Sequence, residues 1–182
     1  APWERLPSGR PENVHVAEPV PAKVHAVLAQ RLFVNKADLP SPLLNQIKRL
    51  AAFQNPEFYK KQSMRLSTAL TPRVICCAEE HSQHIALPRG CQDDLIALLK
   101  PYGSTLTTDD QRNPGDLLEV QFNGKLTNIQ KQAANTLCKH NIGVFVAPPG
   151  VGKTVIGTWL IAKRLCNTLV LVHRQPLLDQ WV

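Results

Sequence analysis

The sequence is poor in aromatic residues, which make up 5% of its 182 residues, and it has one methionine. Long apolar runs are missing as well: the longest, residues 143–149 and 168–172, fall far short of the ~20 residues that a membrane-spanning helix needs. No basic, apolar and small-residue succession opens the chain, so no secretory signal is visible. We therefore expect no membrane contact and a cytoplasmic location, and the first residue, which is not Met, indicates a piece of a longer polypeptide.

Cysteines are few, odd in number and without a CxxC pair: Cys76, Cys77, Cys91, Cys138 and Cys166. This pattern argues against a disulfide framework and against a redox motif, and it favours reduced thiols in the cytoplasm. With His81 and His84, three of these cysteines supply the right elements for zinc. Their spacing fits no common zinc finger, however, so we predict that zinc is not bound.

Acidic residues are outnumbered, with 14 Asp and Glu against 21 Lys and Arg, a formal net charge of +7. Such an excess favours a polyanionic partner, DNA or RNA. The basic side chains of residues 45–65 surround Phe53, Phe58 and Tyr59, and those predicted to bind nucleic acid are Lys60, Lys61 and Arg65. Cations interleaved with aromatic rings suit backbone contacts and base stacking. A solvated helix face with the aromatic rings in the core remains the alternative.

The chain divides by composition into four parts. Residues 1–22 are rich in proline and are predicted to be a linker that forms no core. Residues 23–103 are predicted to form a basic α/β accessory domain that binds nucleic acid. Its predicted elements are helices from Ser41-Pro42 to near Phe53, from Asn55-Pro56 to about Leu66, and over 91–100, with strands at 73–78 and 85–87. The polar residues 104–116 are predicted to be a second linker.

The last part, residues 117–182, alternates apolar runs with helical patterns. Strands are predicted at 117–122, 143–147 and 168–172. Helices are predicted after Thr127, over 153–166 and from Pro176. A strand, a helix and a second strand with continuous apolar runs are typical of a parallel β-α-β unit. The fold class is therefore α/β.

A phosphate-binding loop lies between the strand at 143–147 and the helix that follows it. Residues 147–154 read A-P-P-G-V-G-K-T, which fits the pattern G-x-x-x-x-G-K-[ST] except that Ala147 replaces the first glycine. Gly150 and Gly152 allow a tight turn whose N–H groups surround a phosphate. Lys153 would reach the β- and γ-phosphates of ATP, and the Thr154 hydroxyl would bind Mg²⁺. A glycine-rich turn that binds nothing is the alternative.

Three segments carry a family resemblance. Residues 147–154 resemble motif I of superfamily 2 helicases, residues 169–181 resemble their motif Ia, and residues 126–130 are similar to the segment whose Gln reads adenine. Within that superfamily the sequence looks closest to the type III restriction subunit, UvsW-like and xeroderma B-type group. The resemblance implies that 117–182 begin a RecA-like parallel-sheet domain, and that the parent protein is an ATP-hydrolysing helicase using Mg²⁺.

The same resemblance assigns roles to individual residues. Gln130 would contact adenine, with Gln132 as the alternative on the same helix. Lys153 and Thr154 would be catalytic, with Thr154 on the metal, and Arg174 and Gln175 would contact nucleic-acid phosphates. The nucleotide would be held by Gln130, Pro149, Gly150, Val151, Gly152, Lys153, Thr154 and Val155.

Two further expectations concern the parent protein. Residues 55–59, 72–76 and 86–90 resemble the region before the helicase in primase–helicase proteins of bacterial conflict systems. No DExH box, later motif or second RecA-like domain follows motif Ia, so we expect these 182 residues to hydrolyse ATP poorly by themselves.

A non-catalytic nucleic-acid-binding module with a vestigial nucleotide loop remains the alternative function. A nucleotide-binding kinase fits the loop but neither the Gln130 nor the Arg174 segment.

Overall fold

The computed structural model describes residue 16 and residues 18–182, and it divides into two compact units. The N-terminal unit extends to Arg112, and the C-terminal unit spans Asn113–Val182. Both units contain helices, and the N-terminal unit contains a mixed sheet, so the predicted α/β class is confirmed. Among the described residues, no helix combines the length and apolar character needed to cross a bilayer.

The N-terminal unit is built around a five-stranded sheet with the strand order β5-β6-β2-β1-β7. Strand β1 pairs in parallel with β7, and the other neighbours in this sheet are antiparallel. A separate two-stranded sheet joins β3 to β4. The strands are β1 (Lys23–Leu28), β2 (Leu32–Asn35), β3 (Ala52–Gln54), β4 (Val74–Cys76), β5 (Glu79–Glu80), β6 (His84–Leu87) and β7 (Thr105–Asp110).

One face of the five-stranded sheet is buried against helices. Along β1, the buried Val24, Ala26 and Leu28 alternate with more exposed residues, as the twofold period of a strand requires. These side chains share one apolar cluster with residues of α1 and α3, such as Leu43 and Leu95. The helices of this unit are α1 (Ser41–Leu50), α2 (Pro56–Ser63) and α3 (Gln92–Leu99).

Helix starts in this unit agree with the sequence better than helix ends do. Asn55 caps α2 as its pattern predicts, because its side-chain oxygen accepts the Glu57 N–H at 3.0 Å. In contrast, α1 begins after Pro40, so Ser41 is its first helical residue rather than its cap. It also ends at Leu50 rather than near Phe53, because residues 52–54 pair with β4.

Both predicted linkers need correction where the structure describes them. Residues 105–110 are not a linker: they form β7, whose β-branched threonines pair with β1 along its whole length. Within the Pro-rich segment, Val16 is 4% exposed and belongs to the core cluster, and Val20 packs against that cluster. The prediction that 1–22 form no core is therefore wrong at these positions. Residues 1–15 and 17 lie outside the described part of the chain.

The C-terminal unit contains the three predicted helices, which are α4 (Asn128–Cys138), α5 (Lys153–Arg164) and α6 (Gln175–Trp181). Thr127 caps α4, as predicted. Helices α4 and α5 contact each other.

The three strands predicted in this unit are wrong as secondary structure, since residues 113–182 form no ladder and contain one isolated bridge, between Leu117 and Cys166. Val144 and Val146 are 87% and 86% exposed, and Leu169 and Leu171 are 81% and 83% exposed, so these runs are not buried either. A strand is stabilised by a continuous ladder of hydrogen bonds to a neighbouring strand, and here the pairing stops at the Leu117–Cys166 bridge and the adjacent bond from the Leu118 N–H to the Leu165 carbonyl oxygen. The C-terminal unit thus keeps the sequence order of an apolar run, a helix and a second apolar run, but these segments do not form the predicted β-α-β sheet.

Candidate functional site: the phosphate loop

The phosphate loop turns sharply at two glycines and leads directly into α5. Gly150 and Gly152 both have left-handed backbones, with φ values of +85° and +83°, which glycine adopts without steric cost. Gly152 is the N-cap of α5, and no side chain caps this helix. The first N–H groups of the helix therefore have no hydrogen-bond partner within the helix, as at the helix N-termini that bind anions.

Lys153 folds back over this loop. Its ammonium group donates to the carbonyl oxygens of Ala147 and Pro148, each at 3.0 Å. The side chain is exposed and lies at the first position of α5. A cation held by loop carbonyls beside free helix N–H groups fits a polyphosphate, because both the ammonium group and the helix N-terminus favour anions.

The neighbouring loop residues differ in accessibility. Pro149 and Gly150 are exposed, Val151 is half-buried, and Val155 is 40% exposed. Thr154 is half-buried in the first turn of α5, and its carbonyl oxygen accepts the Thr158 hydroxyl at 3.0 Å. The predicted nucleotide-binding residues 149–155 are thus brought together in one turn and the start of one helix.

Gln130 lies beside the loop, but its amide group is already engaged within the chain. Its oxygen accepts the Thr127 N–H at 2.9 Å, and its nitrogen donates to the Val151 carbonyl oxygen at 2.7 Å. The predicted alternative, Gln132, is exposed. The structure therefore brings Gln130 to the phosphate loop through a contact that the sequence analysis did not anticipate.

The residues predicted from motif Ia lie at the start of α6. Arg174 is the N-cap of this helix and is exposed, whereas the Gln175 side-chain nitrogen donates to the Asp179 carboxylate at 2.9 Å. Trp181 packs on α5, because a Cβ added to Gly157 would lie 2.6 Å from its ring.

Two comparisons with known proteins find similarity over part of this chain. Residues 123–182 match the family described as the type III restriction enzyme, res subunit. In addition, 79 residues, or 43% of the chain, are 33% identical to a protein of Haloarcula marismortui named "Putative DNA 3'-5' helicase Rad25". The chain spans 13% of the length of that relative.

The matched segment, residues 123–182, contains the whole phosphate loop together with Gln130, Arg174 and Gln175. Within it, α5 begins at Lys153 and α6 begins at Gln175.

Outside the matched segment, the predicted nucleic-acid residues lie on and after α2 of the N-terminal unit. Lys60 and Arg65 are exposed. Lys61 is half-buried, and its ammonium group pairs with Glu57 at 2.7 Å and donates to the Thr71 hydroxyl at 2.8 Å. The hydrogen bond and charge of Lys61 lower the pKa of Glu57. Lys60 and Arg65 are therefore more available to a phosphate than Lys61 is.

The aromatic residues near α2 divide between packing and exposure. The Phe58 and Tyr59 rings meet edge to face, with centroids 5.5 Å apart. Phe53 is 52% exposed on the two-stranded sheet, where a base could stack. The Arg73 guanidinium donates to the Tyr59 hydroxyl at 3.1 Å, and this hydrogen bond raises the pKa of Arg73. Phe58 and Tyr59 are half-buried and none of the three rings belongs to the buried core, so the alternative that places them there is wrong.

The cysteine residues considered for zinc differ in how exposed they are to solvent. Cys76 is exposed, Cys77 is half-buried and Cys91 is buried. Burial raises the pKa of the Cys91 thiol. Across residue 16 and residues 18–182, no group of three metal-binding side chains is close enough to hold an ion.

Proposed function

We propose that this chain is part of an ATP-dependent nucleic-acid helicase or translocase, with DNA as the nucleic acid. The observation that carries the proposal is the phosphate loop in the matched segment: two left-handed glycines, a lysine over the loop and the uncapped start of α5. The Haloarcula relative is named as a putative DNA helicase, which supports DNA as the partner.

In this proposal the loop binds the polyphosphate of ATP. The N–H groups at the start of α5 and the Lys153 ammonium group would hold the β- and γ-phosphates. To do so, Lys153 would exchange its hydrogen bonds to the Ala147 and Pro148 carbonyl oxygens for hydrogen bonds to phosphate oxygens. The Thr154 hydroxyl would hold Mg²⁺, which when bound supplies charge neutralisation of the phosphates.

Nucleic acid would be bound by residues of both units. Arg174 and Gln175 at the start of α6 would contact backbone phosphates without reading sequence. On the N-terminal unit, Lys60 and Arg65 would add charge contacts beside the exposed ring of Phe53.

The nucleotide part is tested by calorimetric titration of the 182-residue chain with ATP in the presence of Mg²⁺. We expect saturable binding, and we expect Lys153→Ala to weaken it about 10- to 100-fold, because a hydrogen bond to a charged group contributes about 1.5–3 kcal/mol. Lys163→Ala is the matched control, since Lys163 is an exposed lysine in the last turn of the same helix. Absence of binding by the unmodified chain, or equal loss in both variants, would favour the alternative of a vestigial loop in a nucleic-acid-binding module.

A further inference from the structure

The side chain of Gln130 connects the start of α4 to the middle of the phosphate loop. At the helix it completes a reciprocal cap: the Thr127 hydroxyl accepts the Gln130 N–H, and the Gln130 oxygen accepts the Thr127 N–H. At the loop its nitrogen donates to the Val151 carbonyl oxygen at 2.7 Å. One amide group thus joins two segments that lie 21 positions apart in sequence.

The orientation of this amide follows from its partners. A backbone N–H can be met by the amide oxygen alone, and a backbone carbonyl oxygen by the amide nitrogen alone, so the two contacts fix the same orientation. Val151 lies between the two left-handed glycines, where the loop has its sharpest turn. The fit is close, since a Cβ added to Gly152 would lie 2.6 Å from the Gln130 nitrogen.

We propose that Gln130 is a positioning residue that holds the backbone of the phosphate loop in shape for a polyphosphate, independently of the base attached to it. The inference rests on the proposed function, because it concerns the same nucleotide site. Each end of the amide is held by a backbone group, so the chain itself fixes the amide without a base. The contribution of Gln130 then acts on the triphosphate through Val151.

The experiment compares ATP, GTP and inorganic tripolyphosphate, each titrated with Mg²⁺ into the 182-residue chain. Gln130→Ala removes both contacts. Gln130→Glu keeps an acceptor for the Thr127 N–H but sets a carboxylate oxygen against the Val151 carbonyl oxygen, so it preserves the cap and breaks the loop contact. Gln132→Ala is the control on the exposed side of α4.

In each Gln130 variant, we expect the affinity for all three ligands to fall by one common factor of about two- to tenfold. The ratio of ATP to GTP affinity should therefore be unchanged. Hydrogen exchange without nucleotide should be faster in both variants for the backbone amides of residues 150–153, and unchanged in Gln132→Ala. This second readout reports the loop itself, so it separates positioning from a general loss of folding.

Three outcomes would overturn the proposal. Weaker ATP binding with unchanged GTP and tripolyphosphate binding would make Gln130 a reader of adenine. Normal binding and exchange in Gln130→Glu would reduce its role to capping α4. If the unmodified chain bound none of the three ligands, the proposed function would fail, and this inference would fail with it. If the unmodified chain binds and only the variants lose affinity, the proposed function stands.

Discussion

The two units contain similar kinds of residues but differ in how they bury apolar side chains. In the N-terminal unit, one cluster unites a strand residue such as Leu32 with helix residues such as Ile47 and Leu99, all 0% exposed. In the C-terminal unit, the buried hydrophobic residues are Ala134 and Ile156. Helices form in both units because caps and local hydrogen bonds define them, whereas strands form where a partner strand is present.

The largest effect should come from the core of the N-terminal unit. Leu32→Ala removes a fully buried side chain from β2, so we expect a loss of about 2–5 kcal/mol in unfolding free energy. Leu169→Ala is the matched change at an 81% exposed leucine of the C-terminal unit, with an expected effect within about 0.5 kcal/mol. Urea unfolding of the full chain, followed by hydrogen exchange on peptides of each unit, measures both. A large loss for Leu169→Ala would show that this run is buried in solution.

The parts of the fold that sequence predicts well depend on neighbouring residues. The caps Asn55 and Thr127 lie within three residues of the N–H groups that they bind, and the phosphate loop is a continuous segment. The hairpin of β1 and β2 and the strand β7 were not predicted, since β7 pairs with a strand about 80 positions earlier. Its run of threonines and aspartates also resembles a polar loop in composition.

The candidate site follows the same division. The loop residues and the start of α5 are predictable because the glycines and Lys153 are adjacent in sequence. The contact between Gln130 and Val151 joins distant segments, and no pattern in the sequence indicates it. The capping box at Thr127 indicates only the local half of this arrangement, in which the start of α4 holds the Gln130 amide.

A smaller effect should distinguish the cations proposed to bind DNA on the N-terminal unit. We expect Lys60→Ala to reduce the slope of log affinity against log salt by about one, because it removes a phosphate contact. Lys61→Ala should change the slope less, since the Lys61 ammonium group is already bound to Glu57 and Thr71. The measurement is fluorescence anisotropy of a single-stranded oligonucleotide over about 50–200 mM salt.

The control for this comparison is Lys100→Ala, which removes the same charge from an exposed position outside α2. A slope that falls equally in all three variants would assign the effect to net charge rather than to a site on α2. A larger change for Lys61 than for Lys60 would contradict the assignment of Lys60 as the more available cation.

The smallest effect concerns the pH dependence of the N-terminal unit. A hydrogen bond and the charge of Lys48, with a further contribution from Lys36, lower the pKa of Glu80 below its ordinary value of 4.5. A group whose pKa is lower in the folded state contributes stability above its unfolded pKa and loses it as pH falls through the folded pKa. We therefore expect Glu80→Gln to destabilise the chain near neutral pH and to match the unmodified chain once the pH is well below 4.5.

Since all three side chains are partly exposed, salt should screen this interaction, and the difference between the two proteins should shrink as ionic strength rises. Urea unfolding of the unmodified chain, Glu80→Gln, Lys48→Ala and the double variant, repeated across pH, measures the coupling directly. Additive effects of the two single changes at neutral pH would mean that the Lys48–Glu80 pair contributes nothing. The buried cluster of the N-terminal unit would then be stable without help from this pair, which would widen its contrast with the exposed apolar runs of the C-terminal unit.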